Sequence, residues 1–259
     1  MVHARKRFGQ HFLADQGVIH QIVNAMGLKS SDRLIEIGPG QGALTEHLAG
    51  QTDSFVAIEI DRDLVPFLKA RFPAVEFINE DVLAVDLASL LHADGSRLVG
   101  NLPYNISSPL LLKIATLMRD HRGLVRDGHF MLQREMAERM VAVPGTKAWG
   151  RLSIMMQLSC DVEHLFDVAP ESFKPPPKVW SSVVRILPKD APLLTDANQV
   201  AALDRVLRLA FAGRRKRLAN ALKTLDLDWG TTGVDPNVRA DNVTLQEFVT
   251  LALIEHNEQ

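Results

Sequence analysis

One segment restricts the fold more than any other: Leu34-Ile35-Glu36-Ile37 runs straight into Gly38-Pro39-Gly40-Gln41-Gly42. An apolar run ending in a glycine-rich turn that opens a helix is the signature of an open parallel α/β sheet, where ligands bind beyond the carboxyl ends of the strands. Glycines let the backbone adopt unusual φ and let a ligand approach the main chain closely. The following hundred residues keep the same rhythm. Short apolar runs at Leu34–Ile37, Phe55–Ile60, Val75–Asn79, Arg97–Gly100 and His129–Leu132 alternate with helical patterns after Gly42, Asp61 and Ser107 and from about Gln133.

Val179–Leu187 alternates and is rich in β-branched residues, so it reads as a further strand. Asp161–Val168 is expected to pair with it as a hairpin across the proline-rich Phe173–Lys178 loop. After Pro188 the pattern turns helical. Val200, Leu203, Leu207, Ala210 and Phe211 mark one helical face, Leu218, Leu222 and Leu225 a second, and Leu245–Glu255 a third helix. Gly213 falls between the first two as a helix stop. The expected organisation is an α/β catalytic domain over residues 1–187 and a small all-helical domain over 188–259.

A chain of 259 residues can bury one sizeable core and carry a small appendage. No apolar run approaches the length of a membrane-spanning helix, and the first residues contain no apolar signal core, so a cytoplasmic protein without membrane attachment is expected. One cysteine, Cys160, excludes an internal disulfide and a multi-cysteine metal cage, and it reads as a small core residue. Asp61 and Asp63 read as caps of the helix after the second strand, no His-x-x-x-His spacing occurs, and no metal is expected. The formal net charge of −2 hides clustering: Arg5, Lys6 and Arg7 at one end, Arg214, Arg215, Lys216 and Arg217 at the other. A local basic patch, not the chain average, is the footprint of a polyanion partner. The alternative for the second cluster is a solvated helical face.

Acidic and amide residues stand where successive strands end. Glu59 lies 59 − 40 = 19 residues after Gly40, where a carboxylate can bond two ribose hydroxyls. Asp81 follows the third apolar run, where it can accept an adenine amino hydrogen or simply cap a turn. The spacing G-x-G-x-G differs from the G-x-G-x-x-G of dinucleotide sites, which favours S-adenosylmethionine over its competitor NAD. After the fourth strand comes Asn101-Leu102-Pro103-Tyr104. This pattern suits methylation of an exocyclic nitrogen, a poor nucleophile because its lone pair is delocalised. Asn101 and Leu102 would accept the two N–H hydrogens, Pro103 would stiffen the loop, and Tyr104 would stack on a planar substrate. The same four residues also read as a turn with an Asx start, without chemistry.

These motifs, with Arg5-Lys6-Arg7-Phe8-Gly9-Gln10-His11-Phe12-Leu13, Met131-Leu132-Gln133-Arg134-Glu135, Gly150-Arg151-Leu152-Ser153, Phe173-Lys174-Pro175-Pro176-Pro177-Lys178-Val179 and Phe211-Ala212-Gly213-Arg214-Arg215-Lys216, resemble the ribosomal RNA adenine dimethyltransferases, and within them the bacterial small-subunit branch. The resemblance covers nearly the whole chain. It implies a Rossmann-like class I methyltransferase sheet with a C-terminal helical domain, S-adenosylmethionine as methyl donor, and dimethylation at N6 of adenines in 16S rRNA of the small ribosomal subunit, by a monomer.

By the same resemblance, His11 and Leu13 lie against the cofactor, in an element where many members carry Asn in place of His11. Gly38, Glu59, Asp81 and Asn101 match further cofactor contacts, and Phe173 an aromatic at the mouth of the target-base pocket opposite Tyr104. Without the resemblance Phe173 reads as core. Rival readings are a large-subunit rRNA methyltransferase of the macrolide-resistance type, a non-catalytic assembly factor with a vestigial pocket, and a nicotinamide oxidoreductase.

Overall fold

The structure, a computed structural model, describes residues 10–213 and 215–257. They form two compact units, one of the described residues up to Ala137 with Val162–Pro188, the other of Glu138–Asp161 with the residues from Lys189 onward.

The first unit begins with β1 (Phe12–Leu13) and α1 (Gln16–Met26). Asp15 caps α1 by accepting the Gly17 and Val18 N–H groups, and Gly27, at φ +54°, ends it in the left-handed conformation. Then follow β2 (Arg33–Ile37), α2 (Thr45–Leu48), β3 (Ser54–Ile58), α3 (Val65–Arg71), β4 (Glu76–Ile78), β5 (Ser96–Asn101), α4 (Ser107–Asp120), β6 (Val125–Gln133) and α5 (Arg134–Met140). Beyond α6 (Arg151–Ser159) come β7 (Cys160–Val168), β8 (Phe173–Lys174) and β9 (Ser181–Pro188).

Seven strands form one sheet in the order β4-β3-β2-β5-β6-β9-β7. The first five run parallel, and β9 is antiparallel to β6. Parallel strands covered on both faces are apolar throughout, which is why Leu34, Ile35, Ile37, Leu98 and Val99 are all buried. Gly100 has to be glycine, because a Cβ there would fall on the Ile37 carbonyl oxygen of the neighbouring strand. Helix α4 buries Leu110, Leu111, Ile114, Leu117 and Met118 at helical spacing.

At the opposite end of the strands from the glycine turn, Arg97 is buried between two carboxylates. It donates two bonds to Asp127, both 2.8 Å, and one to Asp32, 3.0 Å, while Arg126 and Arg185 add bonds from the rim. Burial alone would raise both acids; the Lys29 N–H bond to Asp32, 3.0 Å, and the Arg97 guanidinium bonds and charge on both hold them below the usual carboxylate range.

In the second unit, α7 (Ala197–Ala212) and α10 (Leu245–Asn257) enclose a core with Trp149, Ile154, Leu203, Leu207, Phe248 and Leu251. The short helices α8 (Leu218–Ala221) and α9 (Trp229–Thr232) complete it. Cys160 is buried, and burial pushes its thiol up to about 12.

Three expectations change here. Glu138–Asp161 packs with the tail, so the second unit is larger than residues 188–259, because Trp149, Ile154 and Leu158 supply part of its core. The helix expected around Leu218–Leu225 is a single turn, and that after Gly42 shrinks to Thr45–Leu48. The basic cluster is not helical: Arg215 and Lys216 occupy a turn and Arg217 caps α8 from extended backbone, while Arg214 and Arg5-Lys6-Arg7 lie outside the described residues.

Candidate active site

Four parallel strands end on one edge of the sheet, and the backbone ladder runs one residue past them. The Gly38 N–H donates to Ile58 O at 2.9 Å and the Glu59 N–H to Ile78 O at 3.0 Å, so both residues face one cleft in fixed register. Gly38 and Gly40 hold φ of +69° and +60°, conformations that an L side chain resists. Gly40 is further confined by Phe12, whose ring carbons would lie 3.1 Å from an added Cβ.

Glu59 ties the turn to β3. Its carboxylate accepts the Gly40 N–H at 3.0 Å and the Asp61 N–H at 2.8 Å. Burial raises its pKa, those two bonds oppose the rise, and the neighbouring Asp61 charge adds to it. Since the Gly40 N–H is committed to this carboxylate, it is not available to cradle a pyrophosphate, as a dinucleotide site would require. Beneath the turn, Glu36 is wholly buried and accepts the Thr45 hydroxyl at 2.7 Å; burial, opposed by that bond and aided by the charge of Glu59, pushes it up to about 8.

Asp81 lines the cleft, and its Oδ1 accepts the Leu83 N–H at 2.9 Å, which is the turn-capping role. The loop that carries it is held from α4. The Lys113 ammonium donates to the carbonyls of Val82, Leu83 and Val85, at 2.9, 2.9 and 2.5 Å.

Asn101 ends β5 at the cleft, and its amide nitrogen donates to the His11 carbonyl at 2.9 Å. With the nitrogen so committed, the amide oxygen is the atom left to accept from a substrate. The Leu102 N–H donates to Met131 O at 2.9 Å, and Pro103 O accepts both the Ile106 N–H, 3.2 Å, and the Ser107 hydroxyl, 2.9 Å, which fixes the loop. The Tyr104 hydroxyl shares a 2.7 Å hydrogen bond with the Ser181 hydroxyl, and burial, opposed by that bond, raises its pKa. The His11 ring stacks on Tyr104, centroids 5.5 Å apart and planes at 28°, and its Nδ1 lies 2.8 Å from the Pro175 carbonyl.

The cleft encloses about 830 Å³ of atom-free space open to solvent. His11, Gly38, Glu59, Asp81, Asn101 and Leu102–Tyr104 meet there. Leu13 and Phe173 do not. They sit opposite one another where β1 pairs with β8, at 5% and 1% exposure, and both point into the apolar core with Ile19 and Met131. Alternation along a strand puts their neighbours on the other side, so Phe12, not Leu13, lines the cleft. Gln10 and Ile60 also line it, and neither was read from the sequence. Adjacency to His11 and Glu59 was the only available signal. Among the described residues, no three His, Cys, Asp or Glu side chains converge as a metal site.

The donor set fits S-adenosylmethionine: a buried carboxylate for a ribose diol, a second acid at the next strand end for an amino group, and an uncovered glycine backbone between them and Asn101. Comparisons with known proteins agree. The family model of the ribosomal RNA adenine dimethylases matches residues 1–256. Ribosomal RNA small subunit methyltransferase A of Hahella chejuensis is 48% identical over 256 residues, covering 96% of this chain and 92% of that protein. A dimethyladenosine transferase from Plasmodium falciparum superposes with a TM-score of 0.76 at 28% identity, over 96% of this chain and 98% of that one. The 23S rRNA methyltransferase ErmE shares the fold, with a TM-score of 0.66 at 24% identity, over 96% of this chain and 100% of that one. Described helices include none long and apolar enough to cross a membrane.

Proposed function

Because the chain belongs to the ribosomal RNA adenine dimethylase family, we propose that it methylates N6 of two adjacent adenines near the 3′ end of small-subunit (16S) rRNA, giving N6,N6-dimethyladenine during small-subunit biogenesis. It is an S-adenosylmethionine-dependent methyltransferase with a class I fold. The observation that carries the reading is the commitment of the Asn101 amide nitrogen to His11 O at the cleft, which leaves an acceptor where an exocyclic amine must be held.

When bound, S-adenosylmethionine supplies an electrophilic methyl group on a sulfonium. Glu59 would hold the ribose and Asp81 the adenine amino group of this donor, with Gly38 and His11 along its path. The Asn101 Oδ1 and the Leu102 carbonyl accept the two N–H hydrogens of the target amine and turn its lone pair toward the methyl carbon. No strong base is required, since the amine becomes acidic once it carries positive charge and its proton passes to an acceptor or water. Tyr104, fixed by Ser181, offers a face for the flipped-out base, with His11 stacked behind it.

In the second unit, the exposed Arg215, Lys216 and Arg217 supply cations for phosphates, which fix position without reading sequence. Nine Lys and Arg against ten Asp and Glu from Pro188 to Gln259 make that spot locally positive on a balanced segment. The test is label transfer from S-adenosylmethionine to undermethylated ribosomal subunits. Incorporation into small but not large subunits is expected; incorporation confined to large subunits, or none, would contradict the proposal.

A further inference from the structure

Lys113 interrupts the apolar run of α4, between Leu110-Leu111-Leu112 and Ile114-Ala115. It is half-buried, where an ammonium without partners is costly. An ammonium has three hydrogens, and each finds a carbonyl: Val82 and Leu83 at 2.9 Å, Val85 at 2.5 Å. Its charge is therefore spent on one short stretch of backbone, the stretch that follows Asp81.

That stretch is a single turn folded back on Asp81. The Ala84 and Val85 N–H groups donate to the Asp81 carbonyl at 2.8 and 3.0 Å, and the Leu83 N–H donates to Asp81 Oδ1 at 2.9 Å. Leu83 is thus held at both ends of its backbone, its N–H by the Asp81 carboxylate and its carbonyl by the ammonium. With Oδ1 taken, Oδ2 is the oxygen that can accept a bond from within the cleft, which Asp81 and Val82 line. Lys113 lies outside that lining, so it acts through the turn. A compact ammonium can gather three carbonyls at one point; a planar guanidinium spreads its donors and cannot.

We propose that Lys113 is a positioning residue for recognition of the methyl donor's adenine: by gathering the carbonyls of the turn it aims the Asp81 carboxylate that selects a purine bearing a 6-amino group. The inference rests on the reading of Asp81 as the partner of the adenine amino group, and it adds the residue that makes this partner selective.

The experiment measures, by calorimetry, binding of S-adenosylhomocysteine and of its analogue with hydrogen in place of the adenine 6-amino group. Wild type, Asp81→Ala and Lys113→Met are compared. Wild type is expected to prefer the amino compound about tenfold, the worth of a hydrogen bond to a charged acceptor. Asp81→Ala should bind the two about equally. Lys113→Met should reduce the preference to about threefold or less, chiefly by weakening S-adenosylhomocysteine. A preference above that in Lys113→Met would overturn the proposal, and so would an equal loss on both ligands, the mark of a merely structural role. If Lys113→Met does not fold, Lys113→Arg, which keeps the charge but splays the donors, carries the same comparison under the same criterion. A wild type without preference, or an Asp81→Ala variant that keeps it, would sink the Asp81 reading and this proposal with it. Loss of the preference in Asp81→Ala with its retention in Lys113→Met would sink the role of Lys113 alone.

Discussion

The Asn101 side-chain amide donates to the His11 carbonyl at 2.9 Å across 90 positions of sequence, and this bond orients the acceptor at the centre of the site. It joins the end of β5 to the segment entering β1, so two distant stretches of chain set one oxygen atom. Asn101→Ala removes both the orienting bond and the acceptor. Turnover on small subunits should fall by about 10²-fold or more, while S-adenosylmethionine affinity, measured by calorimetry, changes far less. Tyr104→Ala should lose about 1–3 kcal/mol on the RNA side. Wild-type rates in either variant would remove that residue from the reaction.

Glu59 is predicted to bind the cofactor ribose. Glu59→Ala takes away a charged acceptor and should weaken S-adenosylmethionine binding by roughly 1.5–3 kcal/mol, about tenfold or more, in a protein that remains folded. The two N–H groups it now satisfies, those of Gly40 and Asp61, would be left without this acceptor, so a modest drop in Tm accompanies the loss. Unchanged affinity would exclude Glu59 from the site.

Two buried groups set the pH dependence of stability in opposite senses. Glu36 is raised from 4.5 to about 8, so the folded protein holds a proton that the unfolded chain releases. Its stabilising contribution is full below pH 4.5 and is lost as pH rises through about 8. His129 is lowered from 6.5 to about 4, chiefly by burial, so its contribution is full above pH 6.5 and is lost as pH falls toward 4. Between 4.5 and 6.5 the two slopes cancel. Above 6.5 the His129 contribution is constant while Glu36 still loses its own, so stability should decline toward pH 8 and its Glu36 part level off above that. Urea denaturation at pH 6.5 and 8.5 should show this decline in wild type and a much smaller one in Glu36→Gln. An equal decline in both would contradict the assignment.

The basic turn is tested by salt. Arg215→Glu with Arg217→Glu should weaken small-subunit binding and flatten its dependence on salt concentration, leaving S-adenosylmethionine affinity intact. Arg217 also donates to Asn237 at 3.1 Å, so Tm must be checked in parallel. An unaltered salt slope would return the cluster to a solvated surface.

The sheet was legible because buried parallel strands read as apolar runs bounded by turn residues, and the meeting of Gly38, Glu59, Asp81 and Asn101 at one cleft was legible because each stands at or just past such a run. Pairings between remote segments leave no local trace. The ladder of Phe12–Leu13 with Phe173–Lys174 joins short pieces about 160 positions apart, and two residues are too few to show which side chain faces inward. Hence Leu13 and Phe173 were placed at the cleft when both are core. Helices α1 and α6 went unread in the same way. α6 buries its apolar residues in the second unit, so its pattern gave no hint of where it belonged. The Ser181–Tyr104 bond, across 77 positions, was likewise beyond any motif.

The most direct measurement of the central claim is nucleotide mapping. Undermethylated small subunits are incubated with the protein and S-adenosylmethionine, and the modified nucleosides of the 16S rRNA are located by mass spectrometry. N6,N6-dimethyladenine at two adjacent adenines near the 3′ end is the predicted result. Methylation on another nucleobase atom, or at scattered adenines elsewhere in the rRNA, would contradict it.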